Sequence, residues 1–134
     1  MTALRIRSIR NKTDGNLTMI NLAEADSPGH KVTMRGNGWK LCEFNIPSCE
    51  TSDDWDANHR ISLQLNKPKP SESWIFRTEE CIYTCASTEY SDRHLVDGDP
   101  EVGVEEDRYL SVNEDGTIVI VKASFWLYSK WSPG

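Results

Sequence analysis

The sequence predicts an all-β protein of one domain over residues 1–134. Short runs of alternating apolar and polar residues, typical of strands with one buried face, recur along the chain. Turn signals rich in Gly, Pro, Asn and Asp separate these runs, and no apolar pattern at helical spacing lasts for three turns. Many short strands between regular turns indicate a β-sandwich or a β-barrel.

The strand patterns follow one another along the chain. The opening segment 6–20 has a strand pattern on each side of the Asp14-Gly15 turn. Apolar residues then occupy every second position in three segments, at 32–35, 42–46 and 61–65. The run 118–121 is β-branched throughout, which predicts a strand that is covered on both faces.

An internal echo narrows the choice of fold. The opening IRSIRNKTDGNLTMI and the later RYLSVNEDGTIVIV each contain a strand, an Asn, an Asp-Gly turn and a second strand. Asp14 and Asp115 are 101 positions apart (115 − 14), which suits the first and third units of a threefold fold. The sequence therefore predicts a β-trefoil of about twelve short strands, with a β-sandwich as the alternative.

Short motifs resemble those of fungal β-trefoil proteins. The segment 71–77 with 81–84 is similar to a W-x-F…Y pattern of that family, and 6–13 is similar to its strand-Asn-x-Thr opening. The segment 44–49 resembles one in lectin-like fungal proteins, the group that includes the light subunit of mushroom tyrosinase. The Q-x-W repeat of ricin-B-like proteins is approximated only at Ser73-Trp74. The resemblance implies a β-trefoil that binds carbohydrate or serves as an accessory subunit of an oxidase.

Charge and hydropathy exclude several classes of function. The net charge is −6 and the sequence pI is near 5.0, so the chain lacks the basic surface that a nucleic-acid or anionic-membrane binder needs. No apolar stretch is long enough to span a membrane. The opening residues show neither the apolar stretch nor the cleavage site of a signal peptide, which predicts a cytoplasmic location. The sequons at Asn11 and Asn16 are therefore expected to stay unglycosylated.

The sequence predicts no cofactor and no metal. The four cysteines form the pairs Cys42-x6-Cys49 and Cys81-x3-Cys85, which together do not make the two closely spaced pairs of a usual zinc site. Free thiols in strands are expected, with a disulfide between two of them as the alternative. The acidic stretches 97–101 and 105–107 lack the EF-hand spacing, so a solvated loop is favoured over a calcium site.

The chain also lacks the motifs of an enzyme. Its three histidines, His30, His59 and His94, lie in separate segments with no carboxylate or cysteine at a motif spacing. No nucleophile elbow, zinc-protease helix or phosphate-binding loop occurs in the sequence. We therefore expect a protein without catalytic activity.

Two loops combine aromatic and short polar residues, as sugar-binding sites do, because an aromatic face covers the C–H patch of a pyranose while polar groups bind its hydroxyls. The loops are 52–59 and 88–94. The candidate carbohydrate-binding residues are Asp53, Asp54, Trp55, Asn58, His59, Tyr90 and Asp92. The alternative for Trp55 is a side chain folded back onto the base of the barrel, and for Tyr90 an ordinary loop tyrosine.

Three functions follow as hypotheses. The first is a carbohydrate-binding protein without catalytic activity, with glycans or glycoproteins as partners. The second is a protease inhibitor that presents the segment 50–58 or 67–71 to an enzyme cleft. The third is an accessory subunit of a larger oxidase such as tyrosinase, docking through the aromatic segment 125–131 near the C-terminus, where both faces of a strand would be apolar.

Overall fold

A computed structural model describes residues 4–103 and 107–122, which form two β-sheets with one short α-helix, α1 (Ser52–Asp56). Short 3-10 turns span Leu22–Glu24 and Tyr90–Asp92. The described strands are β1 (Arg5–Asn11), β2 (Leu17–Asn21), β3 (Lys31–Met34), β4 (Trp39–Asn45), β5 (Ile61–Leu65), β6 (Ser71–Arg77), β7 (Ile82–Cys85), β8 (His94–Leu95), β9 (Asp97–Gly98), β10 (Arg108–Val112) and β11 (Ile118–Lys122). The all-β prediction is confirmed.

The strands divide between a five-stranded and a six-stranded sheet. The first sheet has the order β4-β1-β10-β11-β9, in which β1 is parallel to β10 and β11 is parallel to β9. The second sheet has the order β3-β2-β5-β6-β7-β8 and is antiparallel throughout. Both sheets contribute to one hydrophobic core, with Ile9 and Leu110 from the first sheet and Leu63 and Ile75 from the second. The two sheets are therefore layers around a shared interior.

The β-trefoil prediction is not confirmed by these pairings, and the two halves of the echo show why. The second Asp-Gly turn joins β10 to β11, which pair as an antiparallel hairpin within one sheet. The first Asp-Gly turn joins β1 to β2, which belong to different sheets. The same local turn residues therefore form a hairpin at one place and a corner between layers at the other.

The corner between β1 and β2 is organised by the side chain of Asn11, which is fully buried. Its Nδ2 donates to the carbonyl oxygens of Gly15 (2.8 Å) and Arg35 (3.1 Å). Its Oδ1 accepts hydrogen bonds from the backbone N–H (3.0 Å) and the hydroxyl (2.6 Å) of Thr13. The amide uses both donors and both lone pairs. A glycan on Asn11 is incompatible with this corner, since attachment would consume a donor inside the core.

The hairpin turn between β10 and β11 uses different chemistry at its surface. The Asp115 carboxylate accepts hydrogen bonds from the Thr117 hydroxyl (2.7 Å) and backbone N–H (3.0 Å), and these bonds lower the pKa of Asp115. Gly116 follows with φ +90, a conformation that glycine adopts without strain.

In the described part of the chain, no helix has the length and apolarity needed to cross a lipid bilayer.

Replacing Asn11 with Ala should lower the free energy of unfolding by about 2–3 kcal/mol, because it leaves buried carbonyl and N–H groups without partners. The matched control is Asn113→Ala at the equivalent position of the echo. There the side chain makes one exposed hydrogen bond, to Thr117, and the loss should stay below about 1 kcal/mol. Urea unfolding of both variants measures the difference, and equal losses would contradict the role of Asn11.

Candidate functional site

The two loops that the sequence singled out separately lie side by side on the outer face of the second sheet. The indole Nε1 of Trp55 donates to the carbonyl of Thr88 (3.2 Å), and the rings of Trp55 and Tyr90 are 5.9 Å apart. The Tyr90 hydroxyl donates to the Cys49 carbonyl at 3.4 Å. We call residues 51–59 and 87–93 the paired loops.

The first loop is fixed by the capping of α1. The Thr51 hydroxyl accepts a hydrogen bond from the Asp54 N–H (3.2 Å), and the Asp54 carboxylate accepts one from the Glu50 N–H (2.9 Å). The first bond caps the start of the helix, and the second holds the residue that precedes the N-cap. At the other end, Asn58 adopts a left-handed conformation (φ 65), and Arg60 donates to the Trp55 carbonyl at 2.8 Å. The helix is thereby oriented with Trp55 toward the sheet.

Trp55 packs into an aromatic cluster and is only 4% exposed. Its ring meets Trp74 and Phe76 edge to face, with centroids 5.8 and 5.6 Å away. The Arg60 guanidinium lies 4.2 Å from the Trp55 ring centroid. This burial agrees with the alternative interpretation, a tryptophan folded back onto the core, although the surface it covers is the outer face of a sheet. The buried Trp55 indole is therefore not an open platform on which a sugar ring could stack.

Tyr90 is half-buried at the edge of the same cluster. Its ring is 5.7 Å from Phe76, and the Arg93 guanidinium lies 4.1 Å from the Tyr90 centroid. Burial raises the pKa of the Tyr90 phenol. Tyr90 therefore supports the paired loops from below, and Arg93 covers part of its ring.

We call the polar candidates on the two loops, Asp53, Asp54, Asn58, His59 and Asp92, the rim of the paired loops. Asp53 and Asn58 are exposed, and Asn58 Oδ1 accepts a weak hydrogen bond from Arg60 Nη2 (3.4 Å). Asp54 and His59 are half-buried, with the His59 Nδ1 3.8 Å from the Asp54 carboxylate. These four side chains come from one loop.

The second loop adds a further carboxylate to the rim. Asp92 is exposed, and its carboxylate accepts a hydrogen bond from the Ser87 hydroxyl at 2.6 Å. This hydrogen bond holds one carboxylate oxygen of Asp92 in place, while the side chain remains exposed to solvent. The rim accordingly combines carboxylates, an amide and an imidazole on a fixed base.

A groove that sequence reasoning missed lies at one mouth of the space between the sheets. We call it the mouth groove; it has two neighbouring parts of about 270 and 330 Å³. The residues that define it are Ser73, Thr84, Ala86, His94, Asp97 and Thr117. The signal in the sequence is Ser71 and Ser73, which are polar at positions of β6 that face the interior, as Ile75 does.

The acidic stretch 97–101 is part of the fold. Asp97 and Gly98 form β9, which pairs with β11, and the Asp99 carboxylate accepts a hydrogen bond from the Lys122 N–H (2.9 Å). Within residues 4–103 and 107–122, no group of three or more His, Cys, Asp or Glu side chains is arranged to hold a metal ion. Residues 105 and 106 lie outside the described part of the chain.

All four cysteines are free thiols, as the sequence predicted. Cys49 and Cys85 lie in the aromatic cluster beneath the paired loops, and Cys42 packs beside the core between the sheets. Burial raises the pKa of Cys42 to about 12 and that of Cys49 to about 11. Both groups are therefore weak nucleophiles at neutral pH, since the thiolate is the reactive form.

No protein family, curated protein or solved structure matches this chain. The resemblance to fungal β-trefoil proteins accordingly stays a prediction that rests on short motifs.

Trp55→Ala should lower the free energy of unfolding by about 3–5 kcal/mol, because it opens a cavity where the indole fills the aromatic cluster. The matched control is Asp56→Ala, an exposed position on the same helix, with an expected change within about 0.5 kcal/mol. Chemical denaturation followed by far-UV circular dichroism measures both. A Trp55→Ala variant as stable as the parent chain would show that the indole is not part of the core.

Cys42 and Cys49 should react with iodoacetamide at pH 8 at least about tenfold more slowly in the folded protein than in urea, since an unfolded thiol has a pKa near 8.5. Their rates should rise as the pH increases toward about 11 for Cys49 and about 12 for Cys42. Peptide mass spectrometry after timed labelling gives the rate at each site. Equal rates in the folded and unfolded chains would contradict the burial of these thiols.

Proposed function

We propose that this chain is a carbohydrate-binding protein without catalytic activity, and that the rim of the paired loops contacts the sugar. The observation that carries the proposal is the meeting of two loops 33 residues apart in sequence, joined by the bond from Trp55 to Thr88. Asp53, Asn58 and Asp92 are exposed on these two loops. Carboxylates and amides in such an arrangement bind vicinal hydroxyls.

The aromatic residues have a supporting role in this proposal. Trp55 and Tyr90 hold the loops, and the hydroxyl-binding groups are the carboxylates, the amide and the imidazole of the rim. Because the loops are fixed before a ligand arrives, binding would not have to order them, and less free energy is lost on association. The fungal origin, the cytoplasmic location and the β-trefoil architecture remain expectations from the sequence and its resemblance.

A glycan array probed with the full chain tests the proposal, and binding of at least one glycan class is expected. Asp53→Ala/Asp92→Ala should then lower the affinity at least about tenfold with an unchanged melting temperature, since two hydroxyl acceptors are lost. The control is Asp26→Ala/Glu114→Ala, which removes the same charge from exposed positions outside the paired loops. An array without binding at millimolar sensitivity would refute the proposal.

A protease inhibitor is the second candidate, and one observation favours it. All of residues 66–70, which form the turn between β5 and β6, are exposed, as are the first two residues of β6, and Lys67 and Lys69 are available to an enzyme cleft. The other candidate segment, 50–58, is held against the aromatic cluster by Trp55 and is less available. Inhibition of a panel of serine and cysteine proteases would distinguish this function from the first.

The third hypothesis, an accessory subunit, depends on the aromatic segment 125–131. That segment lies outside the described residues, so contact with a partner protein through it stays a prediction. Co-purification with a larger oxidase would favour this hypothesis over the other two.

A further inference from the structure

The first sheet has an outer face that turns away from the shared core. Ile9 pairs with Leu110, and both belong to the core between the sheets. Successive side chains of a strand point to opposite faces, so the neighbouring Ser8, Tyr109 and Ser111 lie on the outer face. The pairings with β4 and β11 place further residues on that face, which are Trp39, Leu41, Val119 and Val121. We call the following residues the outer patch: Ser8, Trp39, Tyr109, Ser111, Val119 and Val121.

The middle of the outer patch is buried within a single copy of the chain. Ser8, Ser111 and Tyr109 are 2%, 4% and 7% exposed, whereas Leu41, at the edge of the same face, is 58% exposed. The Ser8 and Ser111 hydroxyls and the Trp39 Nε1 are buried atoms without a hydrogen-bond partner among the described residues. Because buried polar groups are normally hydrogen-bonded, these three atoms mark a surface that is covered but not explained by the described contacts.

None of the described helices and strands is layered on the outer patch. The second sheet packs against the opposite face of the first sheet, and α1 lies with the segment 87–93 on the far side of the second sheet. The uncovered face of an antiparallel sheet is open to water, and a tyrosine in its middle would be well exposed. The elements within 4–103 and 107–122 therefore do not account for the burial of Tyr109.

The segment 123–134 has the position and the length to cover the outer patch. β11 ends at Lys122, which pairs with Arg108, the residue directly before Tyr109 on β10. The chain thus leaves the sheet beside the patch. From β11 across to β4 the patch spans three strand spacings, about 14 Å, whereas the segment reaches about 40 Å when extended. The other ranges outside the described residues, 1–3 and 104–106, are too short for this role.

The composition of the segment matches an apolar surface. Lys130 is the one charged side chain in its sequence. Phe125 and Leu127 alternate with Trp126 and Tyr128, so an extended chain presents large apolar side chains on either face. Burial of such side chains against the valines and aromatic rings of the patch is favourable, because it removes apolar area from water.

We propose that residues 123–134 dock on the outer patch of the same chain and form a third layer on the first sheet. The burial of Ser8 and Ser111 within one copy favours this occupant over a second copy or a separate partner protein. A docked segment also brings backbone N–H and C=O groups to the two serine hydroxyls. The inference is independent of the proposed carbohydrate site. It restricts the third hypothesis, because a partner protein could engage the aromatic residues only after displacing them from the patch.

Hydroxyl-radical footprinting of the full chain tests the proposal at Tyr109. In the unmodified chain, Tyr109 should be labelled as slowly as Trp55, which is buried in the aromatic cluster of the other sheet. The variant Phe125→Ser/Trp126→Ser/Leu127→Ser/Tyr128→Ser should label Tyr109 at least about threefold faster, because the contacts that hold the segment are lost, while Trp55 stays slow. Peptide mass spectrometry after timed exposure gives the rate at each residue.

A matched control removes apolar residues that the segment is not expected to touch. Leu41→Ser/Leu95→Ser replaces two exposed leucines, one of them at the edge of the same face, and should leave Tyr109 slow. If the fourfold serine variant also labels Trp55 faster, its fold has opened, and hydrogen exchange of the unmodified chain decides. The amides of 124–131 should then exchange at least about a hundredfold more slowly than those of a free peptide with the same sequence.

Three results would overturn the proposal. The first is a fourfold serine variant in which Tyr109 and Trp55 both stay slow. The second is exchange of the 124–131 amides at the rate of the free peptide. The third is a Tyr109 labelling rate in the unmodified chain that rises on dilution, which would assign the cover to a second copy. Labelling that is independent of protein concentration, together with the rise at Tyr109 in the variant, supports docking within one chain.

Discussion

The second sheet is apolar on both faces at β6, and this constraint decides where the rest of the outer structure lies. Ile75 faces the first sheet, while Trp74 and Phe76 face away from it. Exposing two large aromatic side chains would cost several kcal/mol of hydrophobic free energy. The chain therefore needs a cover outside the sandwich, and α1 with the segment 87–93 provides it. The candidate site lies at this place because both segments pack on the same aromatic surface of β6.

The same constraint explains why the site is polar rather than aromatic. Trp55 and Tyr90 direct their rings toward Phe76, with ring centroids within 6 Å of the Phe76 centroid. Their apolar surface is therefore buried against the second sheet and is not available to a ligand. The guanidinium groups of Arg60 and Arg93 lie over the two rings, and Arg93 remains exposed. Only the carboxylates, the amide and the imidazole of the loops remain for a ligand. In the proposed function, these polar groups are the ones that would bind the hydroxyls of a sugar.

Local pattern was sufficient to predict the strands but not their arrangement. Alternation identified the segments that became β3, β4 and β5, because burial of one face leaves a direct trace in sequence. The Asp-Gly echo could not distinguish a hairpin from a corner, because turn residues bond within two or three positions. The corner depends on the bond from Asn11 to Arg35, 24 residues away. The composition of the two candidate loops was enough to identify them. Their contact depends on the hydrogen bond from Trp55 to Thr88, 33 residues away. The alternating pattern of strands does not predict that the Trp55 ring points inward.

The mouth groove follows from a change of residue type within one strand. Ile75 on β6 pairs with Ile61 and closes the core, whereas Ser73 and Ser71 pair with Leu63 and Leu65 toward the other end of the strand. A serine fills much less volume than a leucine or valine, so the space between the layers is less completely filled beside Ser73, and the mouth groove lies there. Valine at position 73 would extend the core and gain hydrophobic burial, since the β-branched side chain suits a strand. The chain forgoes that burial at the end of β6 that borders the mouth groove. The position of the groove is therefore set by which residues occupy the core-facing positions of a single strand.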